Sequence, residues 1–118
     1  MTNLLMETMD AIKESGHEVT DITFIGSETG EHACTWAEFQ TLADKEYDSG
    51  YGAQEVASDL VIRFSDTKHM WRNEYDGSED WSYDGTPGPE FDGTPQPITN
   101  LIGGMWETIA GLNAEVAS

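Results

Sequence analysis

Basic residues are the scarcest feature of this chain: three Lys and two Arg stand against 23 Asp and Glu, a formal net charge of −18. A chain so poor in cations cannot hold nucleic acid through phosphate contacts, which require clustered Lys and Arg. Anionic lipid surfaces would repel it as well. Cysteine is nearly missing too. Cys34 is single, so no internal disulfide can form and nothing argues for an oxidising compartment. Set between Ala33 and Thr35 with no basic neighbour to favour a thiolate, it is predicted to be a small core thiol rather than a nucleophile. No apolar run approaches the roughly 20 residues that span a bilayer. Met1–Asp10 holds Glu7 and Asp10 but no Lys or Arg, unlike the start of a signal peptide. These gaps predict a cytoplasmic protein with no membrane partner.

What is present supports one folded domain over residues 1–118. The apolar share is 37% and includes four Trp, four Tyr and four Phe, enough for a single core in 118 residues. The charge is concentrated centrally: residues 46–92 carry a net −9, against −7 for residues 1–45 and −2 for residues 93–118.

Periodicity predicts a helix over 3–15, with Leu5, Met9 and Ile12 on its buried face and Gly16 ending it. A strand over 21–26 should turn at Ser27–Gly30 and return over 31–35. Thr35 and Glu38 have capping-box spacing, which opens a helix over 36–45 that buries Trp36, Phe39, Leu42 and Ala43. Glu46–Gly52 is predicted as a loop. Leu60–Phe64 is the clearest strand, followed by a hairpin strand over 69–75 and a third strand over 81–83. Residues 84–97 hold all four prolines and are predicted to be an irregular crossing that cannot lie mid-sheet. Ile98, Leu101, Ile102, Met105, Trp106, Ile109 and Leu112 form a helical stripe over 98–113, which Gly103, Gly104 and Gly111 weaken. The expected fold class is α+β: an antiparallel sheet of about four to five strands with two to three helices packed on one face.

No motif here implies catalysis or a cofactor. Asp76, Glu79, Asp80 and Asp84 lack the spacing of a calcium loop, and His17, His32 and His69 lack partners at metal-ligand spacing. The glycines after Tyr47 have no following Lys and sit among carboxylates that repel phosphate. Glu46–Gly50 is echoed at Glu74–Ser78, which ordinary turn chemistry explains. The tryptophans are expected in the core, and the tyrosines at the surface.

The runs Glu46–Ile62 and Trp71–Trp81 resemble small acidic proteins encoded by bacteriophages and prophages, a family without an assigned function. The likeness implies no catalytic residue. By size and charge the chain is also similar in type to phage anti-CRISPR and anti-restriction inhibitors that mimic DNA. Duplex DNA carries one charge per roughly 1.7 Å of axis, so ordered carboxylates can occupy the basic groove that binds it. The expected function is therefore inhibition of a host nucleic-acid-binding protein or complex by a monomer or homodimer. The candidate contacts are Asp48, Tyr51, Glu55, Asp59, Asp66, Glu74, Tyr75, Asp76, Glu79, Asp80 and Asp84. The alternative is a phage accessory or structural protein whose acidity serves solubility or salt adaptation.

Overall fold

The computed structural model describes residues 2–48, 53–75, 78–88, 90 and 93–113. It is α+β. A short strand β1 (Thr2–Asn3) leads into helix α1 (Leu4–Glu14). The Asn3 side chain caps α1 by accepting from the Met6 N–H, and Gly16 follows the helix at φ +83. The buried face is one residue away from the expected one. Leu4, Thr8 and Ile12 are buried while Met9 is exposed, because Thr8 satisfies its hydroxyl on the Leu4 carbonyl (2.7 Å) and can enter the core.

Strands β2 (Ile22–Ser27) and β3 (His32–Ala33) form the first hairpin. A register irregularity between Ile22 and Phe24 puts these two residues on different faces, against the simple alternation. Helix α2 (Trp36–Ala43) begins with the full capping box: the Glu38 N–H donates to Thr35 Oγ1 (3.1 Å), and the Thr35 N–H to Glu38 Oε1 (2.8 Å). Glu46–Tyr47, expected in a loop, is strand β4 and pairs antiparallel with β1.

Strands β5 (Leu60–Phe64), β6 (His69–Tyr75) and β7 (Ser78–Ser82) form the central meander. The chain then runs on beside β6, where the Thr86 carbonyl accepts from the His69 N–H (3.2 Å) and Pro87 bridges Lys68. Strand β8 (Gln96–Pro97) lies at the sheet edge, parallel to β3, where a proline leaves no ladder bond unmade in the interior. The sheet has six strands in the order β7-β6-β5-β2-β3-β8, and β1 and β4 make a second sheet of two. The expected sheet was smaller and wholly antiparallel.

The C-terminal helix is the largest departure. Only α3 (Ile109–Leu112) is helical. Residues 101–107 instead lie against 54–58: the Ala57 N–H donates to the Leu101 carbonyl, Ser58 to Glu107, Gly103 and Gly104 to Glu55, and Trp106 to Gln54. Gly103 and Trp106 have positive φ, +109 and +56, which no α-helix admits. Ile98, Leu101 and Ile109 still reach the core, whereas Met105 and Trp106 are exposed.

One cluster forms the core. It contains Leu4, Ile12, Ile25, Phe39, Tyr47, Leu60, Ile62, Phe64, Met70 and Ile109, drawn from all three helices and one face of the large sheet. The other face carries Gly26, Val61, His69, Trp71 and Asn73. Gly26 is required there, since a Cβ would fall 2.1 Å from the His32 carbonyl oxygen and 2.9 Å from the Ala33 Cα. Gly26→Ala should destabilise the fold by about 1–3 kcal/mol, the usual cost of overpacking. A lowered denaturant midpoint in the full-length protein would show it; an unchanged midpoint would mean that the β2–β3 pairing yields freely.

Candidate partner-binding surface

The meander is anchored by a buried ion pair. The Arg72 side chain is wholly buried, and its Nη2 donates to Glu79 Oε1 (2.9 Å) and to the Tyr47 hydroxyl (2.9 Å), while Nη1 donates to Glu7 Oε1 (3.2 Å). Tyr47 in turn donates its hydroxyl hydrogen to Glu7. The guanidinium lies over the Tyr47 and Trp81 rings, at 5.5 and 5.2 Å from their centroids. The Trp81 indole donates to Thr8 (2.9 Å). Burial opposes the charge on Arg72, but Glu7, Tyr47 and Glu79 together hold its pKa above the ordinary arginine value. Burial raises that of Tyr47, which keeps its phenol protonated and able to donate to Glu7.

This arrangement corrects one expectation for the surface. Glu79 is only 3% exposed, with Oε2 accepting from the Glu55 N–H (2.7 Å) and Oε1 from the Val56 N–H (3.2 Å). It is part of the core's polar network and is not displayed to a partner. Because strand side chains alternate, a strand that turns Trp81 inward turns Glu79 inward as well.

The other candidate acids are divided by position. Glu55 is half-buried and accepts from the Asp48 N–H (2.7 Å); Asp48 itself is exposed. Asp59 accepts from the Ile109 N–H (2.8 Å) at the start of α3. Asp66 sits at the β5–β6 turn, bonded to His17 Nε2 (2.7 Å) and the Lys68 N–H (3.1 Å). The hydrogen bond from His17 is the main reason its pKa lies below the usual carboxylate range. His17 stacks on Phe64 with centroids 3.9 Å apart. Glu74, half-buried, and Tyr75, 80% exposed, lie at the far end of β6, roughly 20 Å from Asp66 at strand rise. Asp80 is exposed on β7 opposite Asn73. Tyr51 and Asp76 lie outside the described residues. The described members of the predicted set are therefore not gathered onto one face.

Two concave places collect other groupings. Between α1 and β7, a cleft of about 260 Å³ is lined by Glu7, Asp10, Ala11, Glu14, Asp80 and Trp81. On the outer sheet face, a larger cleft of about 470 Å³ is lined by Val61, His69, Trp71, Glu28, Asp84 and Thr86. His69 and Trp71 tilt together there with centroids 5.0 Å apart. Asp84 Oδ1 accepts both the Thr86 N–H (3.0 Å) and its hydroxyl (2.7 Å), bonds that hold the Asp84 pKa below the ordinary value. His69 Nδ1 donates to the Thr86 carbonyl (3.0 Å).

Sequence reasoning included Asp84 but missed Glu28, His69 and Trp71. The β6 alternation that turns Met70 and Arg72 inward was the available signal, since it turns His69 and Trp71 outward. The expectation of core tryptophans fails for Trp71, half-buried on the outer face, and for Trp106, 57% exposed; Tyr47, in turn, is a core tyrosine.

Cys34 is half-buried against the core, and burial, aided by Glu38, pushes its thiol up to about 12, so it stays protonated. Among the described residues, no three His, Cys, Asp or Glu side chains converge as metal ligands, and no helix is long and apolar enough to cross a membrane.

Arg72→Met should cost about 3–5 kcal/mol, because it leaves Glu79 charged and buried without its partner. Arg72→Met combined with Glu79→Gln should recover part of that loss in chemical denaturation; a double variant no better than the single one would contradict the ion-pair account. Asp66 gives a pH signature. Its depressed folded pKa stabilises the fold above the unfolded carboxylate value near 3.8, and that contribution disappears as pH falls through the folded value. Asp66→Asn should lower Tm at about pH 5, and the difference from the parent protein should shrink as the pH is taken down towards about 2. Equal Tm values at both pH values would show the contact to be inert.

Comparison with protein-family models, with curated proteins and with solved structures finds no match to this chain, so the chemistry of its surface rests on its own residues.

Proposed function

We propose that this protein is a non-catalytic binding module that docks onto a cationic, nucleic-acid-binding surface of a protein partner, as phage inhibitors of anti-CRISPR or anti-restriction type do. The observation that carries the reading is the disposition of charge. Arg72 and Glu79 cancel one another in the core, which leaves the whole formal charge of −18 to the rest of the chain. Of the four remaining basic residues, Arg63 is paired with Glu90 at 3.1 Å. A field of this sign accelerates encounter with a basic groove and repels nucleic acid and anionic membrane. Tyr75 and Trp106, both exposed, are aromatic anchors of the type that dominates interface energetics.

A second reading has its own support. Exposed carboxylates occur on α1 at Asp10 and Glu14, on the β2–β3 turn at Glu28 and Glu31, on α2 at Glu38, and at Asp66 and Glu90. Such a spread suits a phage accessory or structural protein whose acidity serves solubility or salt adaptation.

Charge reversal separates the two. Asp80→Lys with Glu74→Lys should slow association with a basic DNA-binding partner about tenfold at low salt, with duplex DNA competing for the same site. Glu79 is unsuitable for this experiment because its reversal would disrupt the core. Surface plasmon resonance at two ionic strengths reads the outcome. Association insensitive to both salt and charge reversal would remove the electrostatic reading. A protein that gains Tm with salt yet finds no salt-sensitive basic partner fits the second reading.

A further inference from the structure

The outer-face cleft has chemistry more specific than negative charge. Its floor is Val61, 2% exposed yet outside the main core cluster, and one wall is the tilted His69–Trp71 pair. Its polar groups come from three separate places: Glu28 after β2, Asp84 and Thr86 after β7, and His69 on β6. They are matched in kind. Asp84 uses Oδ1 for both of its bonds to Thr86. Glu28 is held through its backbone N–H to the Asp59 carbonyl (2.8 Å), and among the described residues its carboxylate has no partner. The Thr86 hydroxyl hydrogen is already given to Asp84. His69 Nδ1 is committed to the Thr86 carbonyl. Arg63, on the same face of β5, is engaged by Glu90 outside the cleft lining.

An aromatic surface beside two carboxylates, with an apolar floor, complements a flat cation that has many donors and no acceptor. Guanidinium has five N–H donors, stacks on an indole and pairs with carboxylates in a fork; an ammonium is a point charge and gains less from a flat wall. An anion would meet repulsion there, and an uncharged apolar group would strand the carboxylates. We propose that this cleft is the receptor for a single arginine side chain of the cationic partner, seated against Trp71 and paired with Glu28 and Asp84. The inference rests on the binding reading above and gives it a site.

The probe is the tripeptide acetyl-Gly-Arg-Gly-amide, titrated into the full-length ¹⁵N-labelled protein. The Trp71 indole N–H and the His69 and Thr86 amides should shift and saturate. The citrulline peptide, uncharged but of the same shape, should leave them unmoved, and the lysine peptide should bind several-fold more weakly. Glu28→Gln, an exposed change that preserves the fold, should weaken arginine binding about tenfold, as should Trp71→Leu if its spectrum remains folded. Shifts spread over the surface acids without saturation, an equal response to citrulline, or no effect of Glu28→Gln would overturn the assignment. If a basic partner still binds in a salt-dependent way while the peptide leaves the cleft untouched, the cleft inference falls and the binding reading stands. If neither binds, both fall.

Discussion

The Arg72–Glu79 pair is the interaction on which the rest of the structure depends. It joins β6 to β7, and through Glu7 and Tyr47 it ties both strands to α1 and β4. Through the two oxygens of Glu79 it also holds the backbone of Glu55 and Val56. Five separate stretches of chain therefore meet at this ion pair. A charge this deeply buried is tolerable only because its partners supply both charge and hydrogen bonds. Among the described residues the guanidinium Nε has no hydrogen-bond partner, a local cost of burying the group.

This use of Arg72 also shapes the surface. In a chain with five basic residues, committing one to the interior leaves little to moderate the carboxylates outside. Several of those acids have local duties: Glu38 completes a capping box, Asp59 accepts from the first residue of α3, Asp66 fixes a turn and binds His17, and Asp84 closes a turn onto Thr86. Acidity here is partly structural, since short acidic side chains satisfy orphan backbone donors. What remains outward is a general field together with specific concave places. The outer-face cleft combines that field with aromatic surface, and so it differs from a merely solvated acidic patch.

Local patterns were legible where local forces decide. The Thr35–Glu38 box, the Leu60–Phe64 strand, the hairpin after it and the Gly16 stop all arise within a few residues, from capping, β-propensity and backbone freedom. Tertiary context overrode the sequence pattern elsewhere. The stripe from Ile98 to Leu112 has helical period, but Gly103, Gly104 and Gly111 lower its propensity, and the backbone of 54–58 offers it a better partner. Thr8 entered the core because its hydroxyl is satisfied by Leu4, which residue type alone does not disclose.

Composition and short-range pattern by themselves established an α+β chain with a heavy negative charge, its first two helix starts and its central meander. The tertiary structure alone decided which charges are seen. Glu79 and Asp80 are neighbours in sequence and equal in chemistry, yet strand alternation sends one to Arg72 and the other to solvent. Glu28, Trp71 and Asp84 are far apart in the chain and share a cleft only because β2, β5, β6 and the segment after β7 assemble side by side. A sequence records residue types and local periods; the burial of a charge and the convergence of distant groups depend on how strands pair, and that information is nonlocal.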